Sequence, residues 1–179
     1  MRVAITGGIA EGKTTVLGYL QQMGHAVDSA DRIAREVFGL AEIQAAVAQL
    51  LGVVEPVQPA VLRSRLADPA IRRAVNALTH PPILERIQAS PAQFMEVPLL
   101  IETCLQGEFD RVWVITCGKD DQMKRLAARL GSEDAALAIV RTQLTSRAKI
   151  PFADVVIRTN EPEISVKRSV TLAVHRDLQ

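Results

Sequence analysis

The sequence predicts an α/β fold in which a parallel sheet is covered by helices on both faces. Three observations carry this. Short apolar runs alternate with longer stretches of helical period, the pattern of strand–helix–strand crossovers. A glycine-rich turn, T-G-G-I-A-E-G-K-T-T, directly follows the first apolar run and precedes a helical pattern. The 179 residues suffice for one well-packed core, with no internal repeat or low-complexity tract to suggest another architecture.

Strands are expected at Arg2–Thr6, His25–Asp28, Gln93–Val97, Arg111–Thr116 and Val155–Arg158. Helical stripes run through Ile43, Val47, Leu50 and Leu51, and through Leu62, Leu66, Ile71, Val75 and Leu78, with a break at Asp68-Pro69. Two more use Met123, Leu126 and Leu130, then Val166, Val170, Ala173 and Val174. All four read as core contacts. About 60 mostly helical residues separate the second strand from the third, more than one crossover helix requires, and P-V-Q-P at 56–59 reads as a turn or linker within them. A second helical stretch, 119–149, precedes the last strand and carries Lys124, Arg125, Arg129, Arg141, Arg147 and Lys149. The expected plan is one domain with core 1–31, 89–118 and 151–179, a helical substrate-binding insert 32–88, and a lid 119–150.

A formal net charge of +1 offers no basic face for nucleic acid or an anionic membrane. No apolar run approaches a membrane span, and the start M-R-V-A-I-T-G-G reaches glycines too early for a signal peptide. Cys104 and Cys117 lack the spacing of a disulfide or zinc framework. A cytoplasmic protein is expected.

Residues 7–14 fit G-x4-G-K-S/T, the phosphate-binding P-loop. A chain leaving a strand there curls so that successive N–H groups converge on an anion, and the following helix aims its N-terminal dipole at the same point. Lys13 is suited to the β/γ-phosphates and the Thr14 hydroxyl to Mg²⁺. No dinucleotide fingerprint G-x-G-x-x-G can be placed. Glu11 is the odd member. A carboxylate in an anion-binding loop is unfavourable unless it turns outward to solvent or meets a cation, so it is expected to face away. G-K-D-D at 118–121 lacks the asparagine of a guanine motif and reads as a helix start, which argues against GTP. Transfer to a hydroxyl needs a carboxylate to take its proton. V-D-S-A-D-R-I-A-R-E-V at 27–37 supplies Asp28 and Asp31, Asp31 being better placed if a helix begins near Ala30. Helix capping by Ser29 or Asp31 is the alternative reading.

T-G-G-I-x-x-G-K-T-T, A-D-R-I-A-R-E-V, H-P-P-I at 80–83 and V-P-L-L-I-E at 97–102 together resemble the bacterial dephospho-coenzyme A kinases. D-D-Q-M-K-R-L-A-A-R at 120–129 and Q-L-T-S-R-A-K-I-P-F-A-D-V-V-I-R-T-N at 143–160 continue the resemblance. It implies a P-loop three-layer α/β/α core with a helical substrate domain and a lid. The implied activity is transfer of the ATP γ-phosphate to the ribose 3′-hydroxyl of dephospho-coenzyme A. Gly8, Ile9, Ala10, Glu11, Gly12, Lys13, Thr14 and Thr15 would hold ATP and Asp31 would be the base. Arg125 and Arg129, on one helix face by their i,i+4 spacing, would be lid cations. His80 would lie beside the acceptor; on its own, ahead of Pro81-Pro82, it reads as a helix-start histidine. Pro98, Leu99, Leu100 and Glu102 would line the acceptor cleft, with pairing to a cation as the other reading of Glu102. Glu96 would touch Mg²⁺ through water, beside Thr14. The partners would be ATP and dephospho-coenzyme A, with no nucleic acid or membrane, and the protein a monomer or weak homo-oligomer.

The sequence departs from the family pattern at four places. Ser29 stands where D-A-D begins, Ala10 and Glu11 stand where the loop reads G-I-G-S-G-K, the insert is short around 38–58, and Pro59 replaces an arginine. Two alternatives remain at this stage: a P-loop kinase for another small acceptor such as a nucleoside or nucleoside monophosphate, and a catalytically silent ATP-binding regulator.

Overall fold

The structure is a computed structural model and describes residues 1–178. Among the described residues, five strands form one parallel sheet: β1 (Val3–Thr6), β2 (Val27–Ser29), β3 (Phe94–Glu96), β4 (Arg111–Thr116) and β5 (Val155–Arg158), in spatial order β2-β3-β1-β4-β5. The α/β class follows as the sequence implies. Strands β4 and β5 have the expected bounds. Strand β2 begins later than expected because His25 still donates its N–H to Leu20 O in the turn behind helix α1 (Lys13–Gln22).

Strand β1 is buried along its whole length, as a central parallel strand covered on both faces must be. Val3, Ile5, Phe94, Trp113, Ile115 and Ile157 build the core with Val16 and Leu20 of α1 and with Val166, Val170, Ala173 and Val174 of helix α9 (Glu163–Leu178). The Phe94 and Trp113 rings meet edge to face at 5.2 Å, a preferred aromatic geometry. Buried indole N–H groups need an acceptor, and Trp113 Nε1 donates to Asp177 Oδ2 at 2.8 Å.

The chain separates into two compact units: Met1–Ser29 with the chain from Pro91 onward, and Ala30–Ser90. The first also carries helices α6 (Lys119–Leu130), α7 (Glu133–Val140) and α8 (Ser146–Lys149). The second is helical: α2 (Ala30–Phe38), α3 (Ala41–Leu51), α4 (Pro59–Arg65) and α5 (Pro69–Ala89). Its core joins Val47, Leu51, Val57 and Val75, with Leu62 and Leu78 packed against them. Two stripe residues stay outside the cores: Leu50 is 42% exposed because Leu51 takes the inward position, and Leu130 lies 38% exposed at the end of α6. Residues 56–58 belong to the short non-helical link that leads from α3 into α4. Val57 N–H donates to Gln44 Oε1 at 2.9 Å, and α4 starts at Pro59.

Asp68 caps α5 by accepting from Ala70 N–H at 2.7 Å, which fixes the expected break. The reading of His80 as a helix-start residue is overturned. It lies mid-helix, and α5 runs on through Pro81 and Pro82. Proline removes an internal hydrogen bond, but here Val75 and Ile87 are buried on either side of the proline pair and hold the helix together across it.

The Asp177 carboxyl gives a pH test of the core. Burial pulls its pKa up, but hydrogen bonds from Arg176 and Trp113 and the charges of Arg176 and Arg111 outweigh burial and hold it below the ordinary 3.8. A carboxylate depressed in this way contributes stability that is complete above the ordinary value and disappears as pH falls through the folded one. Asp177→Asn is therefore expected to cost about 1–2 kcal/mol near pH 7. In urea titrations across pH, the gap from wild type closes below the ordinary value; a gap independent of pH contradicts this account.

Candidate active site at the β1–α1 loop

Parallel pairing brings the carboxyl ends of the strands to one edge, where ligand crevices form in open α/β sheets. Ile5 lies in register with Glu96, and Thr6 with Val114, so the loop leaving β1 emerges between the ends of β3 and β4. Steric limits shape it. A Cβ on Gly7 would lie 2.3 Å from Ile115 O, so only glycine fits against β4. Gly12 has φ 91°, and its Cβ would meet the Thr159 side chain at 2.8 Å. Ala10 has φ 62°, a left-handed conformation that favours glycine and that Ala10 adopts at a cost of roughly 1 kcal/mol or more. The glycine of the family pattern at this place thus has a backbone reason.

Lys13 Nζ donates to Gly7 O at 3.1 Å and Gly8 O at 3.0 Å, and lies 3.9 Å from Glu96 Oε1. Thr14 and Thr15 are exposed in the first turn of α1. The amino end of that helix is anchored by Thr15 and Val16 N–H, both donating to Gly12 O.

Glu11 does not turn to solvent or to a cation. It is 2% exposed and folds back on the loop. Its Oε2 accepts from Gly8 N–H at 2.5 Å and from the Ser146 hydroxyl, and its Oε1 accepts from Thr116 Oγ1 at 3.1 Å. Three donors replace the water this carboxylate gives up, so burial is tolerated without a partner charge. Its backbone carbonyl is held as well, by Thr159 Oγ1 at 2.7 Å. Ile9 is gripped on both sides: its N–H donates to Gln143 Oε1 at 3.2 Å and its carbonyl accepts from Gln122 Nε2 at 3.0 Å. The first half of the loop is thus bound by side chains, whereas Glu11 N–H and Thr15 N–H donate within the loop, to Gly8 O at 3.4 Å and Gly12 O at 3.1 Å.

Behind β3, the segment 98–102 is bound to α8. Lys149, fully buried, donates to Pro98 O at 2.7 Å and pairs with Glu102 Oε1 at 2.9 Å. Leu144 N–H donates to the same Glu102 oxygen at 2.9 Å. Burial raises the Glu102 pKa, but the Lys149 ammonium and the backbone donors prevail and the net shift is downward. Of the neighbouring predicted residues, Leu100 is buried, Leu99 is exposed, and Pro98 is half-buried. On α6, Arg125 donates from Nη1 to Thr159 Oγ1 at 3.2 Å and from Nη2 to Thr159 O at 2.8 Å. Thr159 in turn holds Glu11 O, which ties this guanidinium to the loop. Arg129 is exposed in the last turn of α6. In the helical unit, Asp31 is exposed in the first turn of α2 and His80 is exposed on α5, two helices that pack together.

Among the described residues there is no cluster of three or more His, Cys, Asp or Glu that could hold a metal ion alone. Thr14, exposed in the first turn of α1, and Glu96, beside Lys13, are hard oxygen donors of the kind Mg²⁺ takes, one or two at a time, with phosphate oxygens and water.

The sequence model of the dephospho-CoA kinases matches residues 1–165. The chain belongs to the dephospho-CoA kinase family. As a member it is an ATP-dependent kinase. Relatives named dephospho-CoA kinase include those of Carboxydothermus hydrogenoformans and Moorella thermoacetica. Each is 32% identical; the first alignment covers 96% of this chain and 91% of the relative, the second 99% and 92%. A Thermus thermophilus crystal structure superposes with a TM-score of 0.87 at 26% identity over 100% of this chain and 98% of the other. Campylobacter jejuni dephospho-CoA kinase gives 0.69 at 23% identity, over 98% of this chain and 96% of that one, and shares the fold. Shikimate kinase from Bacteroides thetaiotaomicron shares it at 0.59 and 13%, covering 100% of this chain and 99% of that one.

Sequence reasoning did not single out Gln122, Gln143, Ser146 or Thr159, although each lies inside a stretch that carries the family resemblance. Lys149 was noted only as one of several lid cations. Removing one partner of a buried pair leaves the other uncompensated. Lys149→Met is therefore expected to lower stability by about 3 kcal/mol in urea unfolding, and Glu102→Gln, which leaves the fully buried ammonium without its counter-charge, by at least as much. Wild-type stability in Lys149→Met contradicts the assignment.

Proposed function

We propose that the protein transfers the γ-phosphate of ATP to the ribose 3′-hydroxyl of dephospho-coenzyme A, releasing coenzyme A and ADP. The observation that carries this reading is the β1–α1 loop, with Lys13 held over the carbonyls of Gly7 and Gly8 and Glu96 beside it, in a chain of this family. Gly8, Ile9, Ala10, Glu11, Gly12, Lys13, Thr14 and Thr15 form the ATP site. Within it, the amides from Ala10 on and the dipole of α1 receive the phosphates. Lys13 leaves its carbonyl partners for the β/γ-oxygens. Thr14, and Glu96 through water, would hold Mg²⁺, and the ion would offset the charge that builds up on the phosphate oxygens. Asp31 takes the proton of the 3′-hydroxyl as its oxygen bonds to the γ-phosphorus and the bond to ADP breaks. Arg125 and Arg129, on a lid spanning 119–150, close over the phosphates through guanidinium forks. Pro98 and Leu99 of the core and His80 of the insert 32–88 bind the acceptor, while Leu100, fully buried, and Glu102, paired with Lys149, position the 98–102 segment. The near-balanced charge supports a protein that engages neither nucleic acid nor an anionic membrane, and we place it in the cytoplasm as a monomer or weak homo-oligomer.

Incubating the protein with Mg·ATP and dephospho-coenzyme A should yield coenzyme A and ADP in equal amounts, and Lys13→Ala should abolish turnover. Turnover no higher than in Lys13→Ala rejects the activity, and a panel of nucleosides and sugars then identifies the true acceptor. Asp31→Asn should leave ATP affinity near wild type while kcat falls roughly 10²- to 10⁴-fold. Unchanged kcat removes Asp31 as the base.

A further inference from the structure

The loop's first half is held by Gln143 and Ser146, which lie near the end of the 119–150 stretch, away from its arginine pair on α6. Gln143 Oε1 accepts from Ile9 N–H at 3.2 Å, and the Ser146 hydroxyl donates to the Glu11 carboxylate. Between and after these residues, Leu144 N–H and Lys149 Nζ engage Glu102, and Lys149 also engages Pro98 O. The stretch 143–149 therefore touches the loop with one set of residues and the segment after β3 with another. Glu11 is the joint. Its carboxylate gathers Gly8 N–H, Thr116 Oγ1 and Ser146 Oγ from three separate segments. Gly8 is then held at both polar groups, its N–H by Glu11 and its carbonyl by Lys13.

We propose that Glu11, Gln143 and Ser146 are positioning residues for ATP, forming a strap that sets the conformation of the first half of the loop. The physical case rests on what a loop must do before it can bind a triphosphate. Unrestrained backbone would have to be ordered at the moment of binding, at an entropic cost that lowers affinity. Here Glu11 and Gln143 do that ordering in advance by binding the amides of Gly8 and Ile9, with Thr116 and Ser146 holding the Glu11 carboxylate in place. The negative charge of Glu11 works against a bound triphosphate. What favours its presence is the geometry of its three hydrogen bonds, not its charge. A glutamine of the same shape should therefore serve nearly as well, its one oxygen accepting from Gly8 N–H and the Ser146 hydroxyl and its amide N–H₂ donating to Thr116 Oγ1, whose hydroxyl turns from donor to acceptor.

The inference rests on the reading of the loop as the ATP site, and the test separates the two. ATP binding to the full chain is measured by calorimetry for wild type, Lys13→Ala, Glu11→Gln, Glu11→Ala, Ser146→Ala, Gln143→Ala and the Glu11→Ala/Ser146→Ala double variant. KM values for ATP and for dephospho-coenzyme A are measured alongside. Glu11→Ala should weaken ATP about 10-fold, the effect of roughly one lost hydrogen bond, with the acceptor KM within about two-fold of wild type. Ser146→Ala and Gln143→Ala should each weaken ATP by a smaller factor. The double variant should be no worse than Glu11→Ala alone, because both changes break the same contact. Glu11→Gln should restore affinity to near the wild-type value. A purely structural role would lower the folded fraction and leave the affinity of the folded protein unchanged, which overturns the proposal. Glu11→Gln as weak as Glu11→Ala, or additive losses in the double variant, also overturns it. Should Glu11→Ala not fold, Gln143→Ala and Ser146→Ala decide, and wild-type ATP affinity in both rejects the strap. Wild type that binds ATP no better than Lys13→Ala rejects the ATP-site reading itself.

Discussion

The parallel pairing of β1 between β3 and β4 is the constraint on which the site depends. It sets Ile5 beside Glu96 and Thr6 beside Val114, and so decides which side chains can surround the loop that leaves β1. A one-residue slip in either pairing would turn each side chain to the opposite face of the sheet. Glu96 would no longer stand near Lys13, and Thr116 would no longer reach Glu11. The register itself is held by the apolar interior, where Val3, Ile5, Phe94, Trp113 and Ile115 interlock. The chemistry at the sheet edge is thus specified by packing well below it.

Much of this architecture was legible in the sequence because it is local. R-V-W-V-I-T and V-V-I-R read as strands and are strands with the expected bounds, since buried parallel strands are short apolar runs. The P-loop was legible because its spacing is set by backbone geometry within a few residues. Glu11 was misjudged for the opposite reason. Its hydroxyl partners Thr116 and Ser146 lie 105 and 135 residues away, and no local argument about charge can anticipate donors at such distances. Gln122 and Gln143 were missed on similar grounds. A glutamine that binds backbone leaves no periodic or charge signature. His80 was misplaced because a proline pair signals a boundary locally, while the buried residues on either side of it keep the helix continuous.

Two departures from the family loop, Ala10 and Glu11, are adjacent, and the structure gives each a distinct physical character. Ala10 carries backbone strain at φ 62°, and Glu11 carries a desolvated charge. Both are unfavourable in isolation. The loop accommodates them because it is restrained from outside: Gln122 and Gln143 hold the residue before Ala10, and Thr116, Ser146 and Thr159 hold the residue after it. Strained or charged local features persist where their surroundings over-determine the conformation.

That restraint changes what kind of object the loop is. Irregular segments between secondary elements are usually among the parts of a protein that open most readily, and their amides exchange with solvent accordingly. The amides of Gly8 and Ile9 lie in such a segment, yet each is bonded to a side chain within the first unit, that of Gly8 to a carboxylate that is itself buried. In hydrogen–deuterium exchange they belong with the sheet rather than with the turns, opening only when the contacts to Glu11 and Gln143 are given up. The rigid part of the phosphate cradle is therefore an extension of the folded core into its own loop.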